Sequence, residues 1–469
     1  MTIQNNLLAL VSAGLLAACS SPSDPVEDKI ENLLSRMTLE EKIGQVNQIN
    51  GVGWASPDVK AQVKSGVVGS ILNEVNPEAI NELQRVAVEE SRLGIPLVFA
   101  RDVIHGFKTM FPIPLGQAAT WNPSIVERGA RIAAIEASSV GIRWTFSPMV
   151  DISRDPRWGR LAESFGEDTY LTTQLGKAMT LGYQTHDLSD PTSMAACAKH
   201  FCGYGASESG RDYSTTWIPE VQLRDIYLPP FKAQAESGAA TFMCSFNDIN
   251  GTPSTANSHL NIDILRREWD YDGLLVTDWA SIQQLIPHGI ASDLCDAARL
   301  ALQSRVGMDM MSYAYISHAK SLLEDGKVTM RQIDDAVRDV IRLKLRLGLF
   351  ENPYARREKD STLSARFLAD AKEACVQSTI LLKNNGVLPL SHGESVAIIG
   401  PLSDSGVDQI GTWSFDGDPA DCVTPLAAFR SQAPERVAAA ANGLSFSRDM
   451  SESGVREALA AAAKASARL

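Results

Sequence analysis

The run Gly273-Leu-Leu-Val-Thr-Asp278-Trp279 places one carboxylate directly after a short apolar stretch and beside an aromatic ring. A carboxylate at the mouth of a buried strand is costly to desolvate, so it needs a partner or a chemical task. Other apolar runs end in the same way. Residues 97–100 are followed by Arg101, Asp102 and His105, and residues 194–198 by Lys199 and His200, then Arg211 and Asp212. Residues 144–147 lead into the loop Asp151-Ile-Ser-Arg154-Asp155-Pro-Arg157-Trp158-Gly-Arg160. Gathered on one rim, these groups would grip a polyol through charge-assisted hydrogen bonds to its hydroxyls, each contributing roughly 1.5–3 kcal/mol when desolvated. Taken singly, each has a plainer role: a strand-end Asp or Lys in a salt bridge, a His satisfied in the core, loop arginines paired with Asp151, Asp155 and Glu163. It is the convergence that points to a site.

The elements that would build such a rim alternate along the chain. Apolar runs at 67–72, 97–100, 144–147, 194–198, 240–245 and 274–277 read as strands, separated by amphipathic helices. Thr38-Leu-Glu-Glu41, Ser124-Ile-Val-Glu127 and Thr329-Met-Arg-Gln332 match the capping box that opens a helix. This α/β alternation predicts a (β/α)8 TIM-like barrel over 26–350, whose C-terminal strand ends collect chemistry. The seventh and eighth strands are expected around 298–311. Residues 351–374 read as a linker. A second unit, 375–469, is expected to hold a helix over 374–383, a turn at 384–386, a buried strand over 395–400 and an Ala-rich helix over 451–469. One clear strand is little for the open αβ sandwich this unit begins, so it reads as truncated.

The chain has 469 residues, 44% of them hydrophobic and 21% charged, as in a globular protein of ordinary composition. A net charge of −13 without a Lys/Arg-rich run argues against nucleic acid or an anionic membrane face as partner. No GxGxxG after a strand, GxxxxGK[ST], HExxH or GxSxG is present, which removes the usual dinucleotide, phosphate, zincin and serine-hydrolase readings. No cysteine pair has CxxC spacing and no Cys/His cluster has zinc spacing, so neither a metal nor a cofactor is expected. Near the N-terminus a short apolar run at 7–18 ends Leu16-Ala17-Ala18-Cys19-Ser20, which resembles a bacterial lipoprotein lipobox, although residues 1–6 lack the usual Lys or Arg. Export with removal of 1–18 and lipidation of Cys19 is the expectation, giving a periplasmic or outer-membrane-anchored protein that meets the membrane only through that anchor.

The motifs Phe99-Ala-Arg-Asp102-Val-Ile-His105-Gly, Arg154-Asp-Pro-Arg-Trp-Gly-Arg160, Lys199-His200-Phe201, Asn250-Gly-Thr-Pro253 and Val276-Thr-Asp278-Trp279, in that order, resemble glycoside hydrolase family 3, within it the bacterial periplasmic β-glucosidase type. The resemblance implies retaining, two-step hydrolysis of terminal non-reducing β-D-glucosyl residues of a β-linked oligosaccharide or glycoside. Asp278 matches the nucleophile. Asp102, Arg160, Lys199, His200 and Arg211 match positions that bind hydroxyls of the −1 sugar. Trp279 and Trp413 match positions where aromatics line the leaving-group subsite. A tyrosine common in the family is replaced by Phe246.

The family's two-domain members draw the acid/base Glu from the second domain, past the helix at 451–469, whereas single-domain relatives use an Asp/His dyad after the Lys-His pair. The loop here, 202–214, carries Glu208 and Asp212 but no second histidine. β-Xylosidase or another exo-β-glycosidase shares every motif quoted. A sugar-binding lipoprotein impaired in catalysis is the reading from a different class.

Overall fold

The computed structural model describes residues 25–466, apart from 52, 54 and 357–361; Cys19 and the lipobox-like run lie outside the described residues. Eight short strands follow one another: β1 (Asn47–Asn50), β2 (Ser70–Leu72), β3 (Val98–Arg101), β4 (Trp144–Thr145), β5 (Cys197–Phe201), β6 (Thr241–Cys244), β7 (Leu274–Val276) and β8 (Asp309–Met310). They pair in parallel in the orders β8-β1-β2-β3-β4 and β5-β6-β7. Parallel bridges Trp144↔Ala195 and Val276↔Met308 join the two sheets, and the ring closes. Short strands suffice because a closed barrel has no edge to protect and every strand is supported on both sides.

Side chains of β3 show how the barrel is filled. Val98 and Ala100 belong to one apolar cluster, with Trp144, Phe242, Leu274 and Met308, while Leu97 and Phe99 belong to a second, with Ile71, Val126 and Ala133. Alternate residues of a strand face opposite sides, so one set fills one layer of the core and the other packs a second. Each fully buried aliphatic or aromatic side chain contributes about 1.5–3 kcal/mol.

The two strands outside the six expected ones are β1 and β8; of the expected 298–311 segment only Asp309–Met310 is strand, and Leu294–Gln303 is helix. β1 reads Asn-Gln-Ile-Asn and carries no apolar run. Its polar groups are satisfied laterally: Asn47 donates to the Val67 carbonyl at 2.9 Å, and Gln48 donates to Ser70 Oγ at 2.8 Å, which donates onward to the Val98 carbonyl. Capping boxes form at Thr38 and Thr329. The third does not: helix Pro123–Ser139 begins earlier, with Asn122 as its cap and Pro123 in its first turn, where a missing N–H costs nothing.

Residues 351–374 are not all linker. Helix Ala365–Ser378 starts inside them, capped by Ser364, and ends five residues before the expected 383. Phe367, Ala371 and Ala374 on this helix pack against Phe111, Ile125 and Ile132 of the barrel. Beyond it, strands β9 (Val396–Ile399) and β10 (Val437–Ala441) pair in parallel, and helix Val455–Ala462 lies against both. The helix expected over 451–469 is confined to that shorter span, and 467–469 lie outside the described residues.

Lys344 on helix Met330–Arg346 is fully buried, its ammonium donating to Gln45 Oε1 at 2.7 Å. Burial pushes its pKa down to about 7. The unfolded chain therefore binds a proton that the folded one has released between about pH 7 and 10, and stability rises with pH across that window. Lys344→Met should flatten the rise, by at most about 1.4 kcal/mol per pH unit. Urea denaturation of both proteins at pH 7 and pH 9 measures it; parallel pH dependences would refute the assignment.

Candidate active site

At the C-terminal ends of the barrel strands lies a cavity of about 630 Å³. Asp102 follows β3, Arg160 and Glu163 come from the loop after β4, Lys199 from β5, Asp278 and Trp279 from the end of β7. Thr412, Trp413 and Phe415 of the second unit close one side.

Asp278 sits at its base. Oδ1 accepts the Trp279 backbone N–H at 2.6 Å, whereas Oδ2 is buried without a hydrogen-bond partner. Burial pushes this carboxyl up to about 6, opposed by the charges of Arg160 and Lys199 and by the Trp279 N–H. At neutral pH it is therefore mostly ionised, with one oxygen held and the other unused. A carboxylate so placed has the chemistry to attack an electrophile.

The two cations are each balanced. Lys199 donates to Asp102 at 3.0 Å. Burial works against its charge, but Asp102 and Glu163 outweigh it, and the ammonium is held above its ordinary value. Arg160 makes a two-pronged pair with Glu163, at 2.7 and 3.0 Å. Burial raises Glu163, yet Arg160 prevails and the carboxyl stays below its usual range, helped by a hydrogen bond from the Trp413 side chain. Three cations (Arg101, Arg160, Lys199) and four carboxyls (Asp102, Glu163, Asp212, Asp278) line the cavity, leaving a net negative balance that suits a developing positive charge.

His200 does not face the cavity. It is fully buried behind Arg160 and Asp278, with Nε2 3.5 Å from Asp278 Oδ2. Its Nδ1 lies 2.8 Å from Asp151 Oδ2, and its Nε2 lies 2.9 Å from Arg160 Nη2. A guanidinium can only donate, so Nε2 accepts and the proton is on Nδ1. Burial, with the Arg160 and Lys199 charges, pushes the imidazole well below its ordinary pKa. His200 is thus a neutral prop under Arg160 in this arrangement rather than a hydroxyl ligand.

Arg211 is not brought to the site. It is exposed and absent from the cavity wall, as is Glu208; the neighbouring Asp212 and Tyr213 line it instead. A loop arginine between Gly210 and Asp212 gives no periodicity from which its direction can be read. Asp212 accepts from Trp158 Nε1 at 3.0 Å. Phe246 is buried in the wall, its ring 4.7 Å from that of Tyr213 and 6.0 Å from that of Tyr204. Trp279 is 43% exposed at the mouth. Sequence reasoning overlooked Asn73, which also lines the cavity and accepts from Arg101 Nη1 at 2.8 Å. Its signal was present, an Asn directly after an apolar run. Among the described residues no group of three or more His, Cys, Asp and Glu side chains is arranged to hold a metal ion.

Comparison with known proteins fits this geometry. The model of the glycosyl hydrolase family 3 N-terminal domain matches residues 38–343, and that of the family 3 C-terminal domain matches 379–469. The chain belongs to glycosyl hydrolase family 3. It is 41% identical over 412 residues to a periplasmic beta-glucosidase of Salmonella typhimurium, covering 86% of this chain and 54% of that one. A putative beta-xylosidase of Formosa agariphila is 35% identical, covering 80% of this chain and 54% of the relative. A crystal structure of a mutant beta-glucosidase from Listeria innocua in complex with laminaribiose superposes with a TM-score of 0.87 at 36% identity, covering 94% of this chain and 63% of that one. The chain thus spans about half the length of the curated relatives it matches.

The tautomer of His200 is directly measurable. Side-chain ¹⁵N NMR should show a protonated Nδ1 and a bare Nε2 from about pH 6.5, where an ordinary imidazole is half protonated, to about pH 8. A doubly protonated ring within that range would contradict the assigned network.

Proposed function

We propose that this chain carries the glycosyl-transfer site of a retaining β-glucosidase, acting on terminal non-reducing β-D-glucosyl residues with Asp278 as nucleophile. The observation that carries the reading is Asp278 itself: ionised, buried, fixed through one oxygen and bare at the other, within a wall of cations and carboxylates suited to hydroxyls. Asp278 Oδ2 attacks the anomeric carbon, the bond from that carbon to the glycosidic oxygen breaks, and its electron pair stays on the departing oxygen, which leaves as the anion of an activated group or as the alcohol once an acid protonates it. Water then attacks the resulting glycosyl ester, with overall retention. Lys199, Asp102 and Arg160 hold hydroxyls of the sugar. Trp279 and Trp413 offer apolar faces to the C–H groups of the departing unit.

Retaining hydrolysis also needs a carboxyl that protonates the leaving oxygen. The other carboxyls in the wall are occupied: Asp102 by Lys199, Glu163 by Arg160, Asp212 by Trp158. None among the described residues stands free for that task, which favours, as a second reading, a site that binds glucose and reacts only with activated leaving groups. Similarity to a putative beta-xylosidase keeps pentoses among the candidate sugars. The lipobox-like run ending at Cys19 and the likeness to a periplasmic relative support export and lipid anchoring at Cys19.

Incubation with a 2-deoxy-2-fluoro-β-glucosyl donor bearing an activated leaving group should label Asp278, and Asp278→Asn should abolish the adduct. The attacking form is the carboxylate, so the labelling rate should climb as pH rises through about 6 and then level off. A folded protein that gains no adduct, or gains it elsewhere, would sink the assignment. For the anchor, Cys19→Ala expressed in a Gram-negative host should move the protein from the membrane fraction to the soluble one; unchanged fractionation would dismiss lipidation.

A further inference from the structure

The segment 411–417 of the second unit reaches over the barrel mouth, and the barrel grips it at several points. Arg101, at the end of β3, donates through Nε to the Asp416 carboxylate at 2.9 Å, and both side chains are largely buried, at 13% and 10% exposure. His105 Nε2 lies 2.6 Å from the Thr412 carbonyl oxygen, while its Nδ1 lies 2.8 Å from that of Phe111, which fixes the ring. Lys108 Nζ donates to the Asp416 carbonyl at 2.8 Å. The loop that carries Lys108 is itself anchored, because the fully buried Glu136 accepts the backbone N–H groups of Lys108 and Thr109, each at 2.8 Å.

Between these grips two aromatic rings are interleaved with two barrel cations. The Arg101 guanidinium lies 4.7 Å from the centroid of the Phe415 ring; Phe415 meets Trp413 edge to face at 5.4 Å; and Lys199 Nζ lies 5.3 Å from the centroid of Trp413. Trp413 holds a left-handed backbone, φ +58°, which a bulky residue adopts only when its surroundings impose it. Glycines bracket the segment where it touches the barrel. A Cβ on Gly411 (φ +77°) would come within 2.8 Å of Ile113, and one on Gly417 within 2.9 Å of Met110.

We propose that Arg101, His105 and Lys108 are positioning residues that hold 411–417 in place and thereby set affinity for the group attached to the sugar on its leaving side. The role rests on the β-glucosidase-type reading above. None of the three grips depends on a sugar being present, so the aromatic wall is pre-formed and its ordering need not be completed when the second sugar unit arrives.

The test is protection of Asp278 against the fluoroglucosyl label by glucose and by a sulfur-linked diglucoside, compared as the ratio of the two inhibition constants. In the wild-type chain the diglucoside should protect better than glucose. Asp416→Asn, Lys108→Met and the double variant should cut that advantage, the double variant by about tenfold, with protection by glucose held within about twofold. Asp416→Glu, which keeps the carboxylate, should recover part of it. An unchanged ratio in a folded double variant would overturn the proposal, as would equal weakening of both sugars, since the segment would then build the sugar pocket itself. A wild-type advantage of one would also overturn it. A wild-type chain that is not labelled, or is protected by neither sugar, fails the activity reading instead, and takes this proposal with it.

Discussion

The structure of the barrel mouth depends on the cost of holding the Asp278 carboxylate out of water. Unopposed burial would protonate it. Lys199 and Arg160 offset that cost, but two buried cations would in turn neutralise the carboxylate's field and clamp it in an ion pair. Asp102 and Glu163 prevent this by taking the hydrogen bonds of the cations for themselves. The carboxylate feels their charge without being bonded to them. Its single firm contact is a backbone N–H, and Oδ2 stays open.

This balance explains why so much of the wall is built from ion pairs that contribute little as stability devices. A buried pair seldom repays its desolvation in full. Here the pairs hold charge at fixed positions in a low-dielectric pocket, where it can act on a bound molecule without reorganising. The same logic places His200: a neutral ring, bonded to Asp151 on one side and Arg160 on the other, supports a cation without adding charge.

Much of this was legible in the chain. Six of the eight strands announce themselves as apolar runs, and Asp102, Lys199 and Asp278 stand within two residues of the ends of those runs, so barrel topology fixes where they converge. β1 escaped because its stabilisation is lateral hydrogen bonding among Asn47, Gln48 and Ser70, which leaves no hydrophobic pattern. The segment 298–311 was expected to hold two strands and holds one, β8, because its first part belongs to the helix Leu294–Gln303. Arg211 was misplaced because a loop's direction depends on tertiary contacts, and the inward role of His200 because a tautomer depends on partners brought from Asp151 and Arg160. The helix Ala365–Ser378 was hidden by four charged residues, Arg366, Asp370, Lys372 and Glu373, around its narrow apolar stripe.

The grip on 411–417 has a bearing on how such a site changes over generations. Two of its contacts, from His105 and Lys108, end on backbone carbonyls of Thr412 and Asp416 rather than on side chains. Every residue type supplies a carbonyl. The side chain at 412 is therefore free to drift in sequence while the strap stays where it is. The rim of the barrel can diverge with no alteration to Asp278 or the charges that tune it.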